Sequence, residues 1–284
     1  GMATFGNGIS AFNNGIMTAE LDMCEDARMI TTGGKRSNVI NDGTMQMRLP
    51  GTVLCMTRYG DSNLINNSMV DLTLTDLPEG YTAVGNGENP VVCAMYDPLS
   101  GGRTQMPSLV NRGTIRIAIE GSGRSNPASQ GYGMYCDLMG AGGEKLQVNV
   151  INDGSIEVSQ SGPVRFEMAE AGFITRPGMR DEACTVKLGR WKTTLRDFSQ
   201  TRDLFLSQGA NIDYGGGELL LKKAEDYVDG TAYSVAPEAL VSNAGGNMFR
   251  YEYSGYENFE IKAADANVNL MWDKENSRVS LSER

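Results

Sequence analysis

Thirty-five Asp and Glu residues and five cysteines are set in a 284-residue chain that has no histidine at all. A Ser-His-Asp triad, a Cys-His pair and a histidine-ligated zinc or iron site are therefore out of reach. What remains open is chemistry run by two carboxylates, a lysine or a tyrosine. Close acidic pairs such as Glu167 with Glu170 and Glu225 with Asp226 are the places to look for the first of these. Nothing in their surroundings explains why either carboxyl should be desolvated and held protonated, so the expected role is a solvated face. No catalytic residue is assigned.

Phosphate and metal chemistry fail on spacing. In "TTGGKRS" the Gly34-Lys35 step lacks both the Gly five residues earlier, where Met29 stands, and the Ser or Thr after the lysine, where Arg36 stands. "GNGENP" (85–90) and "GSGRSN" (121–126) open as G-x-G but have no third glycine and no helix to follow. They are read as turns. Glu225, Asp226 and Asp229 lie near a glycine without EF-hand spacing. Cys24, Cys55, Cys93, Cys136 and Cys184 are odd in number, contain no C-x-x-C pair and suit small buried apolar positions rather than disulfides or a zinc knuckle. No cofactor and no metal is expected.

The elements that would position any site are strands. Thirty-five glycines and a 40% hydrophobic fraction suit short strands joined by tight turns. "GTVLCMTRYG", "MVDLTLTDL", "NPVVCAMYDP", "GTIRIAIEG", "QGYGMYCDLMG" and "PVRFEMAEAGFITR" each carry about five to eight strand-like residues between Gly or Pro. "VNVINDGSIEV" places Asp153-Gly154 between two alternating runs and predicts a hairpin. No repeat of fixed period is visible. The expected architecture is mainly β: a β-barrel or sandwich core over 51–192, an extended Gly/Asn-rich N-terminal arm over 1–50, and a mixed α+β C-terminal module over 193–284. Within the arm, Thr18 to Met29 is expected as a short helix. Within the C-terminal module, helical spacing is read in "TTLRDFSQTRDLFLSQG" and a helix in "GGGELLLKKAEDYVDG", with a closing hairpin around Lys274-Glu275-Asn276.

A formal net charge of −10 with scattered Lys and Arg argues against nucleic acid or an anionic membrane as partner. No run of about 18 apolar residues occurs. The start "GMATFGNGISAFNNG" has neither the charged nor the apolar part of a signal peptide, so synthesis in a cytoplasm is expected.

At "NPVVCAMYDPLSGGRTQMPSLVNRGTIRIAIEGSGRSNPASQGYGMYCDL" the chain resembles the small β-barrel structural proteins of tailed bacteriophages, the capsid cement or decoration proteins. The features that carry the likeness are a buried strand (Val91 to Met95), the step Arg112-Gly113-Thr114-Ile115 into a strand, a Pro-containing loop and the strand "YGMYCD" (Tyr132 to Asp137). "VRFEMAEAGFITR" (Val164 to Arg176) and "EACTVKLGRW" (Glu182 to Trp191) resemble its closing part. The likeness runs from about Leu49 to Trp191, and the segment after Trp191 has no counterpart in it. It implies a non-enzymatic phage or prophage virion protein, made in the bacterial cytoplasm and located in the virion. Such a protein would bind capsid or other virion proteins and form a homo-oligomer; a cement protein, a head fibre and another virion component all fit. Two regions are candidate contact surfaces: the loop carrying Arg124 and Asn126, and the aromatic stretch with Tyr251, Tyr253 and Tyr256. The second also supports a different reading, a glycan- or host-surface-binding module; a carboxylate-dependent hydrolase is the third.

Overall fold

A computed structural model describes residues 2–20, 27–33, 36–50, 53–59, 62–75, 91–96, 108–120, 131–137, 149–159, 164–169, 185–195, 203–207, 211–235, 240–242, 248–250 and 253–284. The chain is mainly β, as its composition predicts, but its three large sheets are parallel and among the described residues no barrel closes. Three parallel sheets run the length of the molecule. The first holds β1 (Met2–Phe5), β4 (Ala27–Gly33), β7 (Val53–Tyr59), β10 (Val91–Tyr96), β13 (Gly131–Asp137), β16 (Val164–Ala169) and β19 (Phe205–Ser207). The second holds β2 (Ser10–Asn13), β5 (Ser37–Asn41), β8 (Ser62–Asn66), β11 (Ser108–Asn111), β14 (Asn149–Asn152), β17 (Thr185–Lys187), β20 (Asn211–Asp213) and β25 (Tyr253–Ser254). The third holds β3 (Ile16–Glu20), β6 (Thr44–Pro50), β9 (Met69–Thr75), β12 (Thr114–Ile119), β15 (Ser155–Val158), β18 (Arg190–Leu195), β21 (Glu218–Lys223) and β26 (Glu260–Ala263). From β1 to β21 consecutive strands visit the three sheets in turn, and each of β1 to β18 pairs with the strand three places on; β20 and β21 pair with β25 and β26. The chain is wound as a β-solenoid.

The alternation that suggested a barrel wall serves a different core. In a solenoid each strand still points every second side chain inward, but the inward residues of successive coils stack on one another about 4.8 Å apart. On the third sheet one such row is Met45, Val70, Ile115, Ile156, Trp191, Leu219 and Ile261, with Ile261 the most exposed at 8%. On the second it is Val39, Leu64, Leu109, Val150, Val186 and Ile212, all buried. A sandwich needs facing sheets from antiparallel hairpins; here each sheet is built by the chain returning once per coil, and so the neighbours are parallel.

The corner between the second and third sheets is where this sequence commits to the fold. Each of the strands β5, β8, β11 and β14 ends in an asparagine, and after two intervening residues the next strand begins. These asparagines are buried and hydrogen-bonded in line. The Nδ2 of Asn13 donates to Oδ1 of Asn41 at 2.8 Å, Asn41 to Asn66 at 2.7 Å, Asn66 to Asn111 at 2.7 Å and Asn111 to Asn152 at 2.8 Å. The second Nδ2 hydrogen turns to a backbone carbonyl beside the corner, as from Asn66 to Ser68 at 3.1 Å. At Asn152 the ladder ends on the backbone carbonyl of Leu188, 2.7 Å away, which also accepts the Trp191 indole N–H at 2.6 Å. Glycine is required next to the ladder because the corners touch: a Cβ on Gly154 would lie 2.0 Å from the Gly113 carbonyl oxygen.

Several expectations are corrected by this architecture. The barrel or sandwich over 51–192 is an open solenoid. "VNVINDGSIEV" is a corner and not a hairpin, because β14 and β15 pair with different sheets and Asn152 turns inward to the ladder. Residues 1–50, expected as an extended arm, supply β1–β6, and β18 spans the expected boundary at Thr193. Part of the expected Thr18–Met29 helix is strand, in β3 and β4, with residues 21–26 outside the described ones. Among the described residues after 193 the expected α+β character is not found: "ELLLKK" forms β21, and the helical element there is one 3-10 turn, Tyr256–Asn258. Leu219 and Leu221 are buried while Leu220 points away, a period of two that the three consecutive leucines conceal.

The far end is covered by antiparallel structure. The strands β27 (Val268–Asp273) and β28 (Arg278–Glu283) form the hairpin expected around Lys274-Glu275-Asn276, and β22 (Tyr233–Ser234) pairs with β28. Val268, Val279, Leu281 and Tyr233 from this sheet, with Val235 just after β22, join the core cluster of the solenoid. A short hairpin of β23 (Leu240–Ser242) and β24 (Met248–Arg250) stands apart from the three sheets.

Replacing Asn111 with Ala removes a member from the middle of the ladder, stranding the Asn152 acceptor and one Asn66 donor. The expected loss is about 1–3 kcal/mol of stability in urea or thermal unfolding. Asn13→Ala, at the ladder's end, is expected to lose less. Gly154→Ala is expected to lose at least as much as Asn111→Ala, because the Gly113 carbonyl cannot move without opening the corner.

Candidate functional site

The residues singled out from sequence fall into two groups. Arg124 and Asn126 lie between β12 and β13, outside the described residues, as do Tyr251 and the G-x-G turns at 85–90 and 121–126. Glu170, Gly34 and Lys35 are outside them too, and so is the Glu167 side chain. Tyr253 and Tyr256 are described, and both rings turn toward the core.

Tyr253 and Tyr256 sit where the last coil meets its cap. Both are half-buried and pack on Tyr214, a fully buried ring that occupies the ladder position two coils beyond Asn152. Tyr253 meets Tyr214 edge-on at 5.7 Å and Tyr256 does so at 5.4 Å. Tyr256 also stacks on Phe259 at 6.4 Å and meets Trp272 of β27 edge-on at 6.0 Å. The Tyr214 hydroxyl donates to the Val235 carbonyl at 3.2 Å, and burial pushes its phenol well above the ordinary tyrosine range. Burial raises Tyr256 as well. Aromatic pairs of this kind add roughly 0.5–1.5 kcal/mol beyond their buried area. The Lys274 ammonium lies over the Tyr256 ring, 6.0 Å from its centroid.

The outer face of the third sheet carries the charges. Arg116 lies 3.5 Å from Asp71 on one neighbouring strand and 3.5 Å from Glu157 on the other. Lys262 meets Glu260 at 2.8 Å and Glu218 at 3.4 Å; these carboxylates raise the lysine, and Glu260 is lowered in turn by Lys262. Where β15, β18 and β21 end, an open groove of about 480 Å³ is lined by Glu157, Ser159, Lys192, Thr194, Lys222 and Glu225, among others. Its two carboxylates are not arranged as an acid and a base: Glu157 is held by Arg116, and Glu225 is exposed to solvent. Among the described residues no group of three or more Cys, Asp or Glu side chains converges in a way that could hold a metal ion. No helix there is long and apolar enough to cross a membrane.

The acidic run "AEDYVDG" proves to be part of the joint between solenoid and cap. Lys223, at the end of β21 and 13% exposed, bridges Asp229 at 2.9 Å and Glu283 of β28 at 2.9 Å. Asp229 also accepts the Glu283 backbone N–H at 2.8 Å. The Asp229 and Glu283 side chains raise Lys223 above its ordinary 10.5, and Lys223 lowers Asp229 below its ordinary 3.8. The carboxylate's contribution to stability is present above 3.8 and is lost as pH falls through its lower folded value; the ammonium's is present below 10.5 and is lost as pH rises through its higher one. Lys223→Met is therefore expected to lower the unfolding midpoint by a constant amount between those two pH values. The gap from the parent protein should close toward both extremes, which a series of thermal melts across pH reads directly.

Asparagine spacing was the signal that sequence reasoning passed over. "FNNG", "INDG", "INNS", "VNRG" and "INDG" recur before each third-sheet strand from β3 to β15, but the ladder partners are 28, 25, 45 and 41 residues apart. A search for a fixed period misses a repeat whose loops vary in length.

Comparison with protein-family models, with curated proteins and with solved structures found no match to this chain.

Proposed function

We propose that the chain is a non-enzymatic structural protein of a phage or prophage virion, comparable in role to capsid cement or decoration proteins. It acts through contacts with capsid or other virion proteins and with copies of itself, and it works in the virion after synthesis in the bacterial cytoplasm. The observation that carries this reading is how the polar and aromatic groups are used. The asparagines hydrogen-bond to each other, the third-sheet charges pair across strands, and Tyr253 and Tyr256 pack on the core. Groups that an enzyme would turn to a substrate are here committed to holding a stiff, elongated shape. The acidic net charge is compatible with protein surfaces as partners and unfavourable for nucleic acid.

A glycan- or host-surface-binding module is the second reading. The groove on the third sheet favours it, since Lys192 and Lys222 flank an open trough whose wall includes the Ser159 side chain. That chemistry suits an acidic, linear saccharide better than the aromatic face suits a neutral one, because the tyrosine rings are turned inward.

Proteomic analysis of purified particles from a strain carrying the gene separates these readings. The chain is expected in the particles at a fixed ratio to the major capsid protein and to stay with them through a density gradient. Its absence from the particles overturns the virion reading. Retention of an acidic glycan by the purified protein, abolished by Lys192→Ala with Lys222→Ala, would put the second reading in its place.

A further inference from the structure

We propose that the groove on the third sheet is the seat of an extended, acidic peptide segment of a partner protein, held through carboxylates at alternate positions. The inference deepens the proposed function by naming the chemistry of one protein contact, and it rests on that reading for the class of partner.

The outer face of β18 carries a cation at successive outward positions. Arg190, Lys192 and Thr194 point away from the core, while Trp191, Thr193 and Leu195 between them are buried. The neighbouring strand continues the stripe. Lys222 of β21 lies beside Thr194, two residues beyond Leu220, which is the register partner of Lys192. Arg190, Lys192 and Lys222 therefore step along one strand direction, with successive outward positions on a strand about 6.6 Å apart.

Ion pairing sets these three apart. Elsewhere on the same face Arg48 meets Glu120 at 2.8 Å, Arg116 sits between Asp71 and Glu157, and Lys262 sits between Glu218 and Glu260. Lys223 is engaged by Asp229 and Glu283. Among the described residues no carboxylate forms an ion pair with Arg190, Lys192 or Lys222. Within the groove Glu157 is already compensated by Arg116, which leaves Glu225 as the one lining carboxylate set against Lys192 and Lys222. A chain of net charge −10 thus keeps a local excess of positive charge at this place, the complement of a negative ligand.

The lining discriminates among acidic ligands. Its two ammonium groups and the hydroxyls of Ser159 and Thr194 suit carboxylates, and it contains no aromatic side chain on which a sugar ring could stack. An extended peptide repeats its side chains at the same two-residue interval as the strand beneath it. Glutamates or aspartates at alternate positions can then meet Arg190, Lys192 and Lys222 in turn, with neither backbone forced to bend.

Fluorescence anisotropy of the full chain with a labelled peptide of alternating Glu and Thr tests this. Binding is expected at low ionic strength and should weaken as salt is added. Lys192→Gln and Lys222→Gln should each weaken it about two- to fivefold, and the double variant about four- to twentyfold. Arg48→Gln, which changes the net charge equally from a site outside the groove, should bind like the parent. On the unaltered protein a peptide of alternating Gln and Thr should not bind, and one of the same composition with its glutamates in a single block should bind more weakly. Failure of the alternating peptide to bind, equal binding of the block peptide, or an equal loss in Arg48→Gln overturns the seat. So does tighter binding of oligogalacturonate that the lysine variants abolish, which puts the saccharide reading in its place. A chain that ignores the peptide yet is found in purified particles overturns the seat and leaves the virion reading standing. A chain that binds the peptide through these lysines and is absent from particles does the reverse.

Discussion

Everything in this molecule depends on keeping successive coils in register, and the asparagine ladder is what fixes it. A parallel sheet alone resists sliding only weakly when its side chains are interchangeable aliphatics. A buried amide that must donate to the amide above and accept from the one below has one acceptable position. Slipping a coil by one residue would carry an asparagine to the outer face and bring an aliphatic side chain into the line, leaving donors and acceptors unmatched in a place without water. The amide dipoles also align head to tail, so each bond polarises the next.

The ladder explains why the chain changes character toward its end. After Asn152 the same position is held by Leu188, then by Tyr214, and the stack passes from amides to an aromatic cluster. Amide stacking has no natural end, whereas Tyr214 closes the core by packing on Phe205, Phe259, Tyr253 and Tyr256 and anchoring its hydroxyl on Val235. The cap is then bound through that cluster and through Lys223. Register along the body and termination at one end are thus two uses of one line of residues.

The strands were legible because alternation in "MVDLTLTDL" or "GTIRIAIEG" is a local property, true whichever sheet the strand joins. What was not legible was the partner. "INDG" is compatible with a hairpin and with a solenoid corner, and the choice rests on Asn152 facing inward to Asn111, 41 residues away. "GGGELLLKK" hides its period because Leu220 is apolar on the outer face. At the candidate site, Tyr253 and Tyr256 could be picked out as a cluster, yet their direction depends on Tyr214, which nothing nearby in sequence marks as the floor they rest on. The Lys223 joint draws Asp229 and Glu283 from segments 54 residues apart, and short-range spacing contains no trace of that meeting.

The three corners of each coil are under unequal constraint. Between the second and third sheets, two residues separate strands again and again, as in Asn66 to Met69 and Asn111 to Thr114. At the other two corners the distance runs freely, from Pro50 to Val53 in one coil and from Thr75 to Val91 in the next. Length changes at those corners leave the ladder untouched, so the body is a fixed axle with two margins on which segments of any size can be hung. A lineage carrying such a chain can rewrite the segments hung at those corners, coil by coil, while the shaft that holds them keeps the same geometry.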